Sequence, residues 1–234
     1  MKNILNKNKV FIVRHGQSVW NHDSKFTGWT NIPLTHQGKN EAKQMVKALK
    51  KNNYKPDVYF SSVLQRAVDT ANIIKNGFDD KNHVYTSWRL NEKHYGTLEG
   101  VPRQYIRKEY GDKFTLMMRS NYYMKPPIIN NENIANCDYP VFKNCYFDSI
   151  KNGESKENVL QRLLPYFEND ILYSFTENKI PMIITHKHCL RVLLKHYLKL
   201  NDEEFENFEI PSKNIVLMEF NNNLHFKKHD LISY

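Results

Sequence analysis

The sequence predicts an α/β fold, on three observations. Short apolar, β-rich runs recur at 10–12, 58–62 and 181–185. The two later runs give way directly to segments whose apolar residues recur at helical spacing. Polar, chemistry-bearing residues stand at the carboxyl ends: Arg14 and His15 after the first run, Arg66 one turn beyond the second, His186 after the third. Parallel strands would gather these at one edge, where open α/β sheets bind ligands.

Taken in order, Val10-Phe11-Ile12 leads into Val13-Arg14-His15-Gly16-Gln17-Ser18-Val19-Trp20-Asn21. An imidazole beside a guanidinium at a strand mouth is poised for an anion. Neutral histidine is a nitrogen nucleophile near pH 7, and arginine presents a fork of donors that fits phosphate or carboxylate. Gly16 allows close backbone approach, while Ser18 and Asn21 add neutral donors. Thr35 caps a helix whose positions Ala42, Met45, Val46 and Leu49 face a core. The second strand, 58–62, feeds a helix opened by Arg66, with Ala67, Ile73 and Ile74 inside.

Residues 87–100 are aromatic-rich, charged and punctuated by glycine, neither helix face nor alternating strand. Such a loop holds polar groups with a task. Glu92 and Glu99 are both candidates for a proton donor, and spacing alone does not choose between them; a solvated surface position suits Glu99 better. Residues 119–152, with Pro126-Pro127, Pro140 and tyrosines 122, 123, 139 and 146, read as a loop-rich cap over the site or a subunit contact. A long helix is expected over 154–173, bearing Val159, Leu160, Leu163, Leu164 and Phe167 and kinked at Pro165. The buried strand Pro181–Thr185 ends at His186-Lys187-His188, and Leu190, Val192, Leu193, Leu194, Tyr197 and Leu198 crowd the helix that follows. Asn214–Phe220 reads as the last strand of a single domain, 1–234.

Arg14-His15-Gly16 with the distant His186 resembles the histidine phosphatase superfamily. Phe26-Thr27-Gly28-Trp29, Ser61-Ser62-Val63-Leu64-Gln65-Arg66-Ala67 and Trp88-Arg89-Leu90-Asn91-Glu92-Lys93-His94-Tyr95-Gly96 narrow the resemblance to its cofactor-dependent phosphoglycerate mutases, over about residues 8–225. The resemblance implies a three-layer α/β/α fold with a mostly parallel central sheet. It implies that His15 takes a phosphoryl group from 2,3-bisphosphoglycerate, the donor and primer, and returns it to the other oxygen of the glycerate. Arg14, Arg66 and His186 would hold the moving group and Glu92 would shuttle the proton. Gln17, Ser18, Asn21, Thr27 and Gly28 would line the site, with Tyr95, Arg103 and Arg119 toward the substrate's other anionic end and Lys187 and His188 as further substrate-binding residues. A phosphatase delivering the same phosphohistidine to water, and a weakly catalytic binding relative, remain alternatives.

The chain departs from that pattern in several places. Met118-Arg119-Ser120 carries one arginine where the family has two, a loss of roughly 1.5–3 kcal/mol if the missing bond was charge-assisted. Arg103 replaces a common lysine, and Gln17 a common glutamate. His186-Lys187-His188 stands for His-Gly-Asn; Lys187 gives up glycine's freedom but adds a charge. After Phe220 only a short tail follows, with Lys227 and Lys228 expected near the entrance; a shorter lid favours hydrolysis.

A formal charge of +9 calls for anionic partners. Its lysines are scattered rather than set in an arginine-rich, aromatic-interleaved stripe, so a small phosphorylated acid fits better than nucleic acid. No apolar run approaches a membrane span. Three cysteines, Cys137, Cys145 and Cys189, and no signal-peptide pattern before the first strand point to a cytoplasmic setting with free thiols. His186 and His188 are two apart but lack companion ligands, so no metal is expected. Relatives of this kind are often dimers or tetramers, which leaves a homo-oligomer open.

Overall fold

The computed structural model describes residues 8–128 and 152–234. Strands β1 (Lys9–Arg14), β2 (Val58–Ser61), β3 (Val84–Thr86), β4 (Pro181–Thr185), β5 (Asn214–Phe220) and β6 (Phe226–Ser233) form one sheet in the order β3-β2-β4-β1-β5-β6. The first four are mutually parallel, and β5 and β6 run antiparallel at one edge. The predicted α/β fold with a mostly parallel sheet is what the chain adopts.

Helices α1 (Val19–His22), α2 (His36–Lys51), α3 (Gln65–Gly77), α4 (Arg103–Ser120), α5 (Lys156–Tyr166), α6 (Lys187–Leu198) and α7 (Asp202–Asn207) complete the described frame. The central strands are buried on both faces, so alternate residues serve two cores. Phe11, Val13, Tyr59, Met182 and Ile184 pack with Met45, Leu49, Ala67 and Ile74 of α2 and α3. Val10, Ile12, Val58, Phe60 and Ile183 pack on the opposite side with Val159, Leu163, Val192 and Leu193 of α5 and α6. That alternation makes the three layers. Thr35 caps α2 as expected, accepting from the Gly38 N–H, and Ala42, Met45, Val46 and Leu49 are its buried face.

Four expectations need correction. The helix predicted over 154–173 starts later, at Lys156, because Ser155 and Asn158 form a reciprocal cap. It does not run on as one rod: Pro165 has no N–H to donate, and the chain widens into a π turn at Phe167–Ile171 before a 3₁₀ turn at Leu172–Phe175. Ile73 is only half-buried, whereas Ile74 is fully inside.

The tail is the larger difference. Residues 226–233 form a sixth strand on β5, with Asn214 opposite Ser233 and Glu219 opposite Lys228. Since β5 runs antiparallel to β1, the end of β6 that reaches the site is Ser233–Tyr234. Lys227 and Lys228 lie at the opposite end of the sheet, with Lys228 bonded to Asp230 at 2.6 Å. Alternation failed to announce β6 because its sequence, Phe-Lys-Lys-His-Asp-Leu-Ile-Ser, is mostly exposed edge. Of the expected 119–152 cap, 129–151 lie outside the described residues, among them Cys137, Tyr139, Pro140, Cys145 and Tyr146. Tyr122 is buried edge-on against Phe205, a packing residue, and Tyr123 is exposed.

Candidate active site

The parallel register sets the site. Arg14 lies opposite Thr185 in the β1–β4 pair, and Ser61 opposite Ile184 in β2–β4, so three strands end level with one another. His15 leaves β1 with its N–H bonded to the Thr185 carbonyl at 2.9 Å, and His186 leaves β4 one residue later. Their rings meet edge to face with centroids 4.8 Å apart. Gly16 is required at this turn, because a Cβ there would run into the Gly38 backbone.

Hydrogen bonding assigns the state of His15. Its Nδ1 lies 2.6 Å from the Gly16 carbonyl, which can only accept, so Nδ1 carries the proton. Nε2 therefore holds the lone pair, and Arg66 Nε donates to it at 3.3 Å. Burial, then the charges of Arg66 and Arg14, push the imidazole pKa well below its ordinary value against the opposing pull of the Gly16 bond. A neutral, pre-oriented nitrogen nucleophile results. His186 is held neutral in the same way, by burial and then by Arg66, His15 and Arg14. Its Nε2 shares a 2.7 Å hydrogen bond with the Ser62 hydroxyl at the end of β2.

Arg66 is 1 % exposed and fixed through the backbone of one loop, donating to the Thr30 carbonyl at 2.9 Å and the Gly28 carbonyl at 2.7 Å. Burial lowers its pKa to about 10, partly offset by Glu92 and Glu99, which leaves it cationic at neutral pH. Glu99 organises that loop. Far from being solvated, it is 1 % exposed and accepts from Trp29 N at 2.9 Å, Tyr95 N at 3.1 Å, Thr30 N at 2.9 Å and Thr30 Oγ1 at 2.7 Å. Gly28, at φ +51°, leaves the space the carboxylate occupies. Of the two carboxylates, only Glu92 lines the chamber. Its Oε1 accepts from Lys93 N at 2.8 Å and His188 N at 3.2 Å. The Glu92 carbonyl is held by the Trp29 indole at 2.6 Å and by Arg162 at 2.9 Å.

The chamber is walled by Arg14, His15, Asn21, Thr27, Gly28, Arg66, Glu92, Tyr95, Arg103, Arg119, Lys187 and His188. Every one is a residue the sequence singles out. Three further candidates sit elsewhere. Gln17 faces an adjoining outer cleft of about 500 Å³. Ser18 caps α1 by accepting from the Asn21 N–H and is off the wall. His186 lies behind His15, fully buried. Arg14 Nε, Thr27 Oγ1 and Arg103 Nε are buried without a protein partner. Unpaired donors among fixed cations are costly unless an anion completes them, and a small polyanion fits that need.

Other functional groups escaped sequence reasoning. Arg191 lies one turn beyond Lys187 on α6, and that i, i+4 spacing could have found it. It is 1 % exposed, donates to the Phe205 and Arg119 carbonyls at 2.6 and 3.3 Å, and lines the outer cleft with Glu41, Glu209, Lys213 and Tyr234. Arg162 binds Glu154 at 2.7 Å and the carbonyls of Arg89, Asn91 and Glu92. Two buried amines hold the segment that carries Arg119. Lys93 donates to the Met118 and Met124 carbonyls at 3.3 and 3.2 Å, and Lys156 to the Asn121 carbonyl at 2.7 Å. Burial lowers their pKa values to about 8 and about 6. His188 pairs through Nε2 with the Tyr95 hydroxyl at 2.8 Å. Cys189 is an inert buried thiol, its pKa pushed up to about 12 chiefly by burial. Among the described residues no cluster of three His, Cys, Asp or Glu could hold a metal ion, and no helix is long and apolar enough to cross a membrane.

The chain is similar to known proteins over most of its length. The histidine phosphatase superfamily (branch 1) model matches residues 10–228. A 2,3-bisphosphoglycerate-dependent phosphoglycerate mutase of Bifidobacterium longum (strain DJO10A) is 39% identical over 217 residues, covering 92% of this chain and 87% of that protein. One of Buchnera aphidicola subsp. Cinara cedri is 37% identical over 223 residues, covering 93% and 96%. Among solved structures, a mycobacterial glucosyl-3-phosphoglycerate phosphatase superposes with a TM-score of 0.74 at 19% identity, covering 97% of this chain and 100% of that one. The α-ribazole phosphatase of Shigella flexneri gives 0.71 at 19%, covering 96% of each. At such identities these structures speak for the fold alone.

Proposed function

The chain belongs to the histidine phosphatase superfamily, branch 1, and within it to the 2,3-bisphosphoglycerate-dependent phosphoglycerate mutases; on that premise we propose that it interconverts 3- and 2-phosphoglycerate through phosphorylated His15. The observation that carries the reading is the His15 tautomer, with Nδ1–H tied to Gly16 and the Nε2 lone pair in a chamber ringed by guanidinium groups.

When bound, 2,3-bisphosphoglycerate supplies the phosphoryl group that primes the enzyme. The His15 Nε2 lone pair forms the N–P bond while the ester P–O bond breaks, and Glu92 gives a proton to the leaving oxygen. In the return step Glu92 takes a proton from the other hydroxyl of the glycerate, which receives the phosphoryl group as the N–P bond breaks. Arg14 and Arg66 stabilise charge on the equatorial oxygens, the main source of catalysis in phosphoryl transfer, and His186 supports the His15 ring from behind. Asn21, Thr27 and Gly28 seat the phosphate, and Tyr95, Arg103, Arg119, Lys187 and His188 face the substrate's acid end. The guanidinium groups meet the charge, so the reading calls for no metal. The site suits a small phosphorylated acid, and the free thiol of Cys189 fits the cytoplasm. One mutase-like domain accounts for the whole arrangement.

Hydrolysis is the second reading, favoured by the outer cleft, which reaches His15 and Arg14 directly. The test is purified protein with 3-phosphoglycerate and a trace of 2,3-bisphosphoglycerate, following 2-phosphoglycerate and inorganic phosphate together. Isomer without phosphate supports the mutase. Phosphate without isomer transfers the reading to hydrolysis, and neither product, without acid-labile phosphate on His15, refutes both.

A further inference from the structure

We infer that Lys187 and Glu209 form an exchangeable ion pair that sets specificity for a carboxylate-bearing substrate. Glu209 is the waiting counter-ion that the substrate's carboxylate replaces. This rests on the phosphoglycerate reading and adds to it a residue, Glu209, with a role of its own.

The argument begins at Met118. Its side chain is fully buried among Phe26, Tyr95, Leu98 and Ile106. It presents no charge to the chamber, and Arg119 is left alone on that segment. Lys187, on α6, is a further cation on the wall of the same chamber. Its position on the walls of both the inner chamber and the outer cleft lets one ammonium serve either. In the free protein it points to Glu209, Nζ to Oε2 at 2.8 Å.

Glu209 is suited to release it. Its side chain is 59% exposed and that of Lys187 30%. Exposed pairs of this kind are held only marginally, because water competes for both partners. Glu209 also keeps a favourable field after the exchange. Burial raises its pKa, but Lys187 and then Arg191 and Arg119 outweigh that and hold it ionised. Lys187 feels the converse: burial and the two arginines lower its pKa while Glu209 raises it. A carboxylate arriving between Arg119 and Lys187 would meet an ammonium already oriented and merely shared. Phosphoesters without a carboxylate gain nothing from the exchange and leave the pair closed.

Equilibrium binding of 3-phosphoglycerate and of glycerol 3-phosphate, measured by calorimetry, separates these cases without turnover. Lys187→Met is expected to weaken 3-phosphoglycerate about 10-fold, the lower range of a charge-assisted hydrogen bond, and glycerol 3-phosphate less than about twofold. Glu209→Gln is expected to tighten 3-phosphoglycerate roughly threefold, in line with loss of an exposed pair, and to have no such effect once Lys187 is Met. Lys187→Gln and an unfolding curve for each variant separate lost binding from lost folding. Equal weakening of both ligands, or an unchanged affinity in Glu209→Gln, overturns the exchange. If the native protein binds glycerol 3-phosphate but not 3-phosphoglycerate, the phosphoglycerate reading fails with it; isomerase activity with an unresponsive Glu209 overturns the exchange alone.

Discussion

Replacing Glu99 by glutamine tests how Arg66 is held. Each carboxylate oxygen accepts two hydrogen bonds: Oε1 from Trp29 N and Tyr95 N, Oε2 from Thr30 N and Thr30 Oγ1. All four donors converge on a group that only accepts. An amide keeps its oxygen toward Trp29 N and Tyr95 N and turns its NH₂ toward Thr30, whose hydroxyl can rotate to accept while its N–H is left facing a donor. One hydrogen bond to a charged acceptor is lost, at about 1.5–3 kcal/mol, so Glu99→Gln should lower unfolding free energy by about 1.5–3 kcal/mol. That is a sizeable part of the ~5–15 kcal/mol of a typical domain. The loop that loses its anchor also supplies the Gly28 and Thr30 carbonyls that orient Arg66. Below the unfolding transition, kcat should therefore fall more than KM rises. Urea unfolding followed by tryptophan fluorescence, with steady-state kinetics at low temperature, measures both. A variant within about 1 kcal/mol of the native protein and with native kcat would refute the account of Glu99 as the organiser of this loop.

Other outcomes follow from the same contacts. Arg66→Met should cost roughly 10²–10³ in kcat, the usual price of one transition-state donor, seen in single-turnover phosphorylation of His15. His15→Ala should leave no acid-labile phosphate after incubation with 2,3-bisphosphoglycerate, read by intact-protein mass spectrometry. Gly28→Ala should destabilise by about 1–3 kcal/mol, since a Cβ would both strain φ +51° and meet the Glu99 carboxylate; a thermal midpoint within a degree of native would count against it. His15, His186 and His188 all have pKa values depressed first of all by burial. The unfolded chain then binds more protons than the native one below pH 6.5, so stability is lost as pH falls from there toward the depressed values. The slope should reach up to about 4 kcal/mol per pH unit for three groups. His188→Asn should reduce proton uptake on unfolding by close to one, measured from the pH dependence of urea unfolding.

Much of this protein is written in local sequence. Hydrophobic runs with polar ends fixed β1, β2 and β4 and placed His15, Arg66 and His186 at their mouths, because a strand buried on both faces needs apolar residues and its first polar neighbour marks where the apolar layer ends. Of the twelve candidates that line one chamber, Arg14, His15 and Arg66 follow from those strand ends, whereas Thr27, Gly28, Tyr95, Arg103 and Arg119 came from the family resemblance. Edge strand β6, half-polar by necessity, gave no such signal, and the lysines expected at the entrance went to the far end with it.

What tertiary structure alone decided is which charged groups face which cavity. Glu92 and Glu99 are seven residues apart in one loop, chemically equivalent until packing turned one toward the chamber and buried the other beneath four donors. Arg191, Arg162 and the amines of Lys93 and Lys156 became framework because carbonyls from distant segments converge on them. The carboxylate that answers Lys187 likewise comes from beyond the next helix, at Glu209. Residue type and periodicity determine what a side chain can do; its partners come from chain segments brought together only by the closing of the fold.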